Sequence, residues 1–179
     1  MNEAQHHPVR LAAVFERREP AVRFVERLVA EDFPMDRLSL LHKGGGHGDD
    51  PIGIVYHDDR ERIRVWGEQG ALWGALGGLL AGLSGVFLVP GLGAVLAAGP
   101  IVEALVGAVT GGALMAGAAG LTSVAIALRR LGIPEETLRA LERAVEEGRY
   151  VLLLHTDDEA EAERLERQLR LLGAQVHRV

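Results

Sequence analysis

Small and apolar residues fill the middle of the chain, from residue 70 to residue 128, with a single charge at Glu103. Within this stretch small residues recur at every fourth position, which at about 3.6 residues per turn aligns them along one ridge of a helix. A ridge without bulky side chains lets two helix backbones approach closely. The ridge positions are Gly70, Gly74, Gly78 and Gly82, followed by Ala104, Ala108, Gly112, Ala116 and Gly120.

Two breaks divide this stretch, Pro90-Gly91 and Gly99-Pro100. The pattern therefore predicts two helices, residues 70–89 and 101–128, which pack together as a glycine-zipper hairpin. Glycine costs about 1 kcal/mol relative to alanine inside a helix. We therefore expect the two helices to be buried against other chains or against lipid.

The N-terminal segment has the pattern of a β-α-β unit. Residues 10–15 predict a buried strand, apolar positions over residues 20–32 predict a helix beginning at Pro20, and residues 37–42 predict a second strand. A glycine-rich loop follows, and then two alternating runs that predict a hairpin or an extended arm. The loop is residues 43–51, and the two runs are residues 52–57 and 62–66.

The C-terminal segment contains a second unit of the same kind. Pro134 begins a helix, residues 150–155 predict a strand, Asp157 is placed to cap a helix ending at residue 172, and residues 175–179 predict the last strand. The sequence thus predicts an α+β protein with a split ferredoxin-like (βαβ plus βαβ) domain interrupted by the helical hairpin. The predicted units are residues 1–66, 67–131 and 132–179.

Both ends of the hairpin must return to one sheet, so the hairpin can enter a bilayer only by crossing it an even number of times. Residues 70–89 are long enough to span about 30 Å of hydrocarbon. Flanking arginines favour the inner (cytoplasmic) membrane with both α/β halves in the cytoplasm. A soluble cytoplasmic assembly that buries its hairpins between chains is the alternative, and the Gly and Ala content favours it. The arginines are Arg60, Arg62, Arg64, Arg129 and Arg130.

Composition narrows the class of partner. A net charge of −6 and few aromatic residues argue against nucleic acid as a partner. The absence of cysteine excludes disulfides, thiolate metal sites and cysteine nucleophiles. The expected partners are further copies of the chain and a lipid membrane, and the sequence does not indicate a small-molecule ligand.

Several stretches resemble a bacterial family of glycine-zipper proteins of unknown function, labelled general-stress or heat-induced membrane proteins. The resemblance extends over residues 52–156. It implies a membrane-associated hairpin flanked by α/β halves, and it implies no catalytic residue. The residues that carry it are Trp66-Gly67, Trp73-Gly74, Pro90-Gly91, Gly99-Pro100 and Gly132-Ile133-Pro134.

No metal, cofactor or catalytic site is predicted. The seven histidines form no HExxH motif and no i,i+4 pair on a helix. In the predicted sheet His155 ends a strand at one edge, whereas His42 and His177 end strands at the opposite edge. The glycines of residues 44–48 precede two aspartates and a proline instead of a helix N-terminus, so we interpret them as a linker and not as a phosphate-binding loop.

Glu103 is the one candidate for a proton- or ion-linked role, because a carboxylate within a membrane is costly and often functional. The competing interpretation is a helix-start residue, since Glu103 follows Pro100 by three positions and would lie near the positive end of a helix. The predicted function is a non-enzymatic, membrane-associated homo-oligomer with a scaffold or stress-related role. A soluble self-assembling oligomer and an oligomeric pore or transport component involving Glu103 are the alternatives.

Overall fold

The strands predicted in the N-terminal and C-terminal segments lie together in one antiparallel sheet. The computed structural model describes residues 9–43, 84–89, 92–111 and 122–179. Six strands of these residues follow the order β3-β4-β2-β5-β1-β6 across the sheet, and every neighbouring pair is antiparallel. The strands are β1 (Val9–Phe15), β2 (Leu38–Lys43), β3 (Ser84–Val89), β4 (Gly93–Ala98), β5 (Tyr150–His155) and β6 (Gln175–Arg178).

Helices cover both faces of this sheet. The first and last of the five described helices pack on one face, and the other three pack on the opposite face. A short 3-10 turn, Met35–Arg37, leads into β2. The helices are α1 (Arg18–Ala30), α2 (Ile101–Gly111), α3 (Ser123–Arg130), α4 (Glu135–Glu146) and α5 (Glu159–Leu171).

Successive residues of the central strands alternate between the two helical layers. In β1, Ala12 and Val14 belong to the cluster formed with α2, α3 and α4, whereas Leu11, Ala13 and Phe15 belong to the cluster formed with α1 and α5. A strand with both faces buried reads as a continuous apolar run and not as an alternating one. Such uninterrupted apolar runs occur in β1 (LAAVF) and in β5 (VLLL), because water reaches neither face of these strands.

Most of the elements predicted in the two outer segments are confirmed. The strand at Tyr150–His155 has the predicted bounds, and the other outer strands and helices differ from their predicted bounds by one or two residues. The cap of α5 is Asp158 instead of Asp157, because the Asp158 side chain is the one that accepts from Ala160 N and Glu161 N. The predicted arm at residues 52–66 lies outside the described residues.

The prediction of a helix through residue 89 is wrong for its last six residues, which form β3. This strand pairs with β4 in a hairpin, and β4 pairs in turn with β2. A helix here would leave the backbone groups along the outer edge of β4 without the ladder that β3 provides. The sequence of β3 is also rich in residues that favour strands, Val86, Phe87 and Val89.

The prediction of one helix over residues 101–128 is also wrong, because α2 and α3 are separate helices. Thr122 has an extended backbone, with φ −77° and ψ 162°, and its hydroxyl oxygen accepts from Ala125 N at 3.1 Å. A residue in this conformation begins a helix and cannot lie in the middle of one. The helices α2 and α3 pack against each other, and both belong to the second helix of the predicted hairpin. The packing of that helix against the first predicted helix stays a prediction, because residues 70–83 and 112–121 lie outside the described part of the chain.

We predict that Gly99→Ala destabilises the protein far more than Gly93→Ala does. Both glycines have a positive φ, +83° and +85°, so both substitutions impose backbone strain of about 1–3 kcal/mol. At Gly99 an added Cβ would also overlap the carbonyl oxygen of Leu38, whereas at Gly93 no atom lies within 4 Å. Urea denaturation followed by circular dichroism gives the two free energies of unfolding. Equal losses would contradict the close approach of β4 to β2.

Candidate functional site

The candidate site is the layer formed by α2 and α3, since it contains the described parts of the predicted helix-packing stretch. The start of α2 is fixed to the sheet. Ile101 N donates to Ser39 Oγ at 3.2 Å, and Ser39 is fully buried on β2. Val102 N donates to the carbonyl oxygen of Gly99 at 2.9 Å. These two bonds satisfy backbone donors that a helix N-terminus leaves free.

Ala104 and Ala108 are the predicted ridge positions that the described residues include, and Ala108 is the more buried of the two. Ala108 is fully buried, and Ala104, one turn earlier, is partly buried against the same cluster. That cluster consists of this chain's own sheet, α3 and α4. At Ala108 the contacts of the ridge are therefore within the chain, and the predicted contacts with other chains or with lipid stay a prediction. Gly70, Gly74, Gly78, Gly82, Gly112, Ala116 and Gly120 lie outside the described residues.

Glu103 lies in the first turn of α2 and is exposed. The positive end of the helix dipole favours a carboxylate at this position. This placement agrees with the helix-start interpretation of Glu103. A proton-linked role would need Glu103 inside a membrane or a pore, and the exposed position in this chain gives that role no support.

The outer surface of the α2–α3 pair contains a close contact between Gly107 and Arg130. The Arg130 guanidinium lies where a Cβ at position 107 would stand, so a glycine on α2 provides the space for an arginine from α3. Val106, beside it, is an exposed apolar residue. Gly107 lies outside the predicted ridge, so α2 also uses a small residue on another face for helix packing.

The histidines do not converge, although their placement differs from the prediction. His42 stacks on Tyr150, with ring centroids 4.0 Å apart and planes at 5°, at the end of the sheet where β1 and β2 end. His155 and His177 lie toward the opposite end, on β5 and β6, which flank β1 and both run antiparallel to it. The prediction that His177 shares an end with His42 is therefore wrong. Within the described ranges no three His, Asp or Glu residues are grouped to hold a metal ion.

A polar cluster at the start of α5 was missed by the sequence analysis. Thr156 is fully buried, its hydroxyl donates to Glu161 Oε2 at 2.5 Å and accepts from Asp158 N at 3.1 Å. Arg37 Nη1 lies 3.9 Å from the same Glu161 oxygen. The spacing Asp158-x-x-Glu161 is that of a capping box, which is the signal that could have identified the cluster. The hydrogen bonds of this cluster hold the start of α5 in place.

A second polar cluster joins α5 to β6. Glu166 accepts from Arg170 Nη2 at 2.8 Å and from Arg178 Nε at 2.7 Å, and Arg178 also pairs with Glu159. The hydrogen bonds from Arg170 and Arg178 hold the pKa of Glu166 below its ordinary value of 4.5. On the other side of α5, Arg164 Nη1 and Gln168 Nε2 donate to Glu31 beyond the end of α1. The last helix is thus tied to both of its neighbours.

Comparisons with protein family models, with curated proteins and with solved structures found no match. The resemblance to the glycine-zipper family therefore stays a prediction. In the described portion of the chain, no helix combines the length and the apolar composition that a membrane span requires.

We predict that Asp158→Ala lowers the free energy of unfolding by about 1 kcal/mol, the usual contribution of a helix N-cap. Asp158→Asn is the matched control, since the amide oxygen still accepts from the two backbone amides at the start of α5. We expect the Asn variant to keep most of the wild-type stability in urea denaturation. A loss as large in the Asn variant as in the Ala variant would show that charge, and not capping, is what matters.

We predict that the stabilisation by Glu166 is lost in acid. Its pKa is lower in the folded chain than in the unfolded chain, so the stabilisation is complete above the unfolded value and disappears as the pH falls through the folded value. Glu166→Gln should therefore cost up to about 1 kcal/mol at neutral pH, and this cost should shrink as the pH falls through the pKa of the folded chain.

Denaturation curves of both proteins between pH 7 and pH 2 measure this difference. Glu163→Gln serves as the control, because its 3.7 Å pair with Arg167 is more exposed and should contribute less. A pH-independent difference between wild type and Glu166→Gln would contradict the prediction.

Proposed function

We propose that this protein is a non-enzymatic, membrane-associated homo-oligomer with a scaffold or stress-related role, in which the α/β sheet is the rigid base of each subunit. The observation that carries the proposal is that strands from before and after the apolar stretch share one sheet. β1 pairs with β5 and β6, and β2 pairs with β5. Both ends of the apolar stretch are consequently connected to the same sheet.

The base is proposed to be a split ferredoxin-like domain. The order β2-β5-β1-β6, with α1 between β1 and β2 and α5 between β5 and β6 along the chain, supports this assignment. Both of these helices pack on the same face of the sheet. The β3-β4 hairpin extends the sheet beyond β2, and α2, α3 and α4 cover the face opposite to α1 and α5.

Self-association is assigned to the glycine ridge of residues 70–82. In α2, Ala108 is fully buried and Ala104 is partly buried within their own chain, so this part of the stretch is already packed. The four ridge glycines that precede β3 have the spacing that allows two helix backbones to approach closely. We assign the contacts between copies to this segment for that reason.

Polar side chains at the starts of three described helices support a structural role over catalysis. Ser39 anchors α2, and Thr156 and Asp158 fix the start of α5. At the start of α3, Thr122 binds Glu142 and caps the helix. Each of these side chains makes a hydrogen bond that holds a helix in place.

The second candidate function is the same self-association without lipid. It is favoured by the burial of α2 and α3 against this chain's own sheet, which gives the described part of the apolar stretch a protein environment. In this case the glycine ridges would meet inside a protein assembly, and the rest of the proposal is unchanged.

We predict that Gly74→Leu and Gly78→Leu each weaken self-association at least about tenfold, the effect of roughly 1.4 kcal/mol. Leucine at a ridge position would separate the two backbones. Gly77→Leu is the matched control, since residue 77 lies off the ridge of every fourth residue. Light scattering coupled to gel filtration, with and without detergent, measures the particle size of all three variants.

Cell fractionation of the wild-type protein separates the two candidates. Recovery with membranes and a need for detergent support the membrane-associated oligomer, whereas a large monodisperse particle without detergent supports the second candidate. A monomer under both conditions contradicts both. Equal effects of Gly74→Leu and Gly77→Leu would contradict the glycine ridge as the contact.

A further inference from the structure

The strand β6 ends the described sheet on one side. It pairs with β1, and no described strand pairs with its outer edge. The helix α5 contacts both β1 and β6, so it lies directly above this edge. An open strand edge presents backbone donors and acceptors that can extend a sheet with another chain.

We propose that the outer edge of β6 pairs antiparallel with β6 of a second copy of this chain, around a two-fold axis near Val176. This inference rests on the proposed self-association and gives it a second contact surface. The two sheets would join into one continuous sheet, and the two copies of α5 would lie side by side on the same face.

The pattern of side chains in β6 selects the register of this pairing. Directly opposed residues in an antiparallel pair point to the same face of the sheet. Val176 packs with the α1 and α5 cluster, whereas His177 pairs with Ala12, which belongs to the opposite face. Placing Val176 opposite its own copy puts an apolar pair at the axis and sets Gln175 opposite His177 of the second copy.

The position of α5 fits the same axis. Neighbouring strands lie about 4.8 Å apart, and α5 contacts the two strands nearest the edge. Two copies of α5 related by the axis would therefore be separated by about 10 Å, which is the spacing of packed helices. They would run antiparallel because the two copies of β6 do.

The charges of α5 are complementary under this symmetry. Arg164 and Gln168 bind Glu31 on the α1 side of the helix, which leaves the ridge of Glu163 and Arg170 toward the edge. Glu163 is 55% exposed and pairs with Arg167 at 3.7 Å, and Arg170 is 59% exposed and pairs with Glu166 at 2.8 Å. Because both pairs lie at the surface, each residue can exchange its own partner for the opposite charge across the axis. In an antiparallel pair of helices the Glu163 of one copy faces the Arg170 of the other, and the contact occurs twice.

The carboxylate in the middle of this contact, that of Glu166, is already neutralised within its own chain. Glu166, between Glu163 and Arg170 on this ridge, is bound by Arg170 and by Arg178 of its own chain. Two copies can consequently approach without placing bare carboxylates against each other. A short, charged edge strand is also a feature that protects a monomer from aggregation. The symmetric match of Glu163 with Arg170 is what favours a second copy of the chain as the partner of this edge.

A single engineered cysteine tests the axis directly, because the natural chain contains none. Directly opposed residues of an antiparallel pair have Cα atoms about 4.5–5.5 Å apart, which suits a disulfide. We expect Val176→Cys to form a covalent dimer under mild oxidation at least about tenfold faster than Ala140→Cys, an exposed position on α4. Equal rates for the two variants would overturn the proposal.

A charge exchange provides a second test in the cysteine-free chain. Arg170→Glu should weaken dimerisation in sedimentation velocity, and the double variant Glu163→Arg, Arg170→Glu should restore it, because the two charges exchange places across the axis. Because Arg170→Glu also removes a hydrogen-bond partner of Glu166, circular dichroism and urea denaturation verify that each variant is folded. A double variant as weak as Arg170→Glu alone would count against the edge contact.

The outcomes also separate this proposal from the glycine ridge. If Gly74→Leu reduces the particle size and Val176→Cys does not cross-link, the edge pairing is wrong and the proposed function stands. If Val176→Cys cross-links and Gly74→Leu has no effect, the edge is the contact and the ridge is not. Intramolecular coverage of β6 by other residues of the chain would leave both Val176→Cys and Ala140→Cys monomeric.

Discussion

The exclusion of water from both faces of the sheet is the constraint on which the rest of the structure depends. Every residue of β1 from Leu11 to Phe15 is buried, as is every residue of β5 from Val151 to His155. A fully buried leucine or phenylalanine side chain contributes about 1.5–3 kcal/mol, and these strands alternate such side chains toward both helical layers. The layer of α2, α3 and α4 is therefore as necessary to the sheet as the layer of α1 and α5.

The sequence predicted the outer segments well because their periodicities are unambiguous. The helices α1, α4 and α5 have apolar positions on one face, and the strands between them are short apolar runs bounded by turn residues. The β3-β4 hairpin could not be predicted from the same signals. Glycine and alanine at every fourth position indicated a helix, and a short apolar run such as residues 84–89 fits a strand or a buried helix equally well. Residues 84–89 form a strand because they pair with β4, and β4 is held in the sheet by its pairing with β2. The contact between β4 and β2 is distant in sequence.

The candidate site was predicted in part for a related reason. Spacing identified Ala108 as a buried contact of a helix ridge, and the structure places it in the core. Spacing carries no information about which surface covers the ridge. At Ala108 the covering surface is the chain's own sheet. Glu103 shows the same limit, since its distance from Pro100 indicated a helix start but not that α2 would be fixed by Ser39 on another strand.

The pairing of β1 with β5 has a consequence for synthesis on the ribosome. Val9 lies opposite His155, so the first strand waits for almost the whole chain before its nearest neighbour exists. At about 5–20 residues per second, that delay is on the order of 10–30 s. During this interval the nascent β1 and β2 expose apolar side chains and unpaired backbone groups, which suit binding by a chaperone until residue 155 has been synthesised.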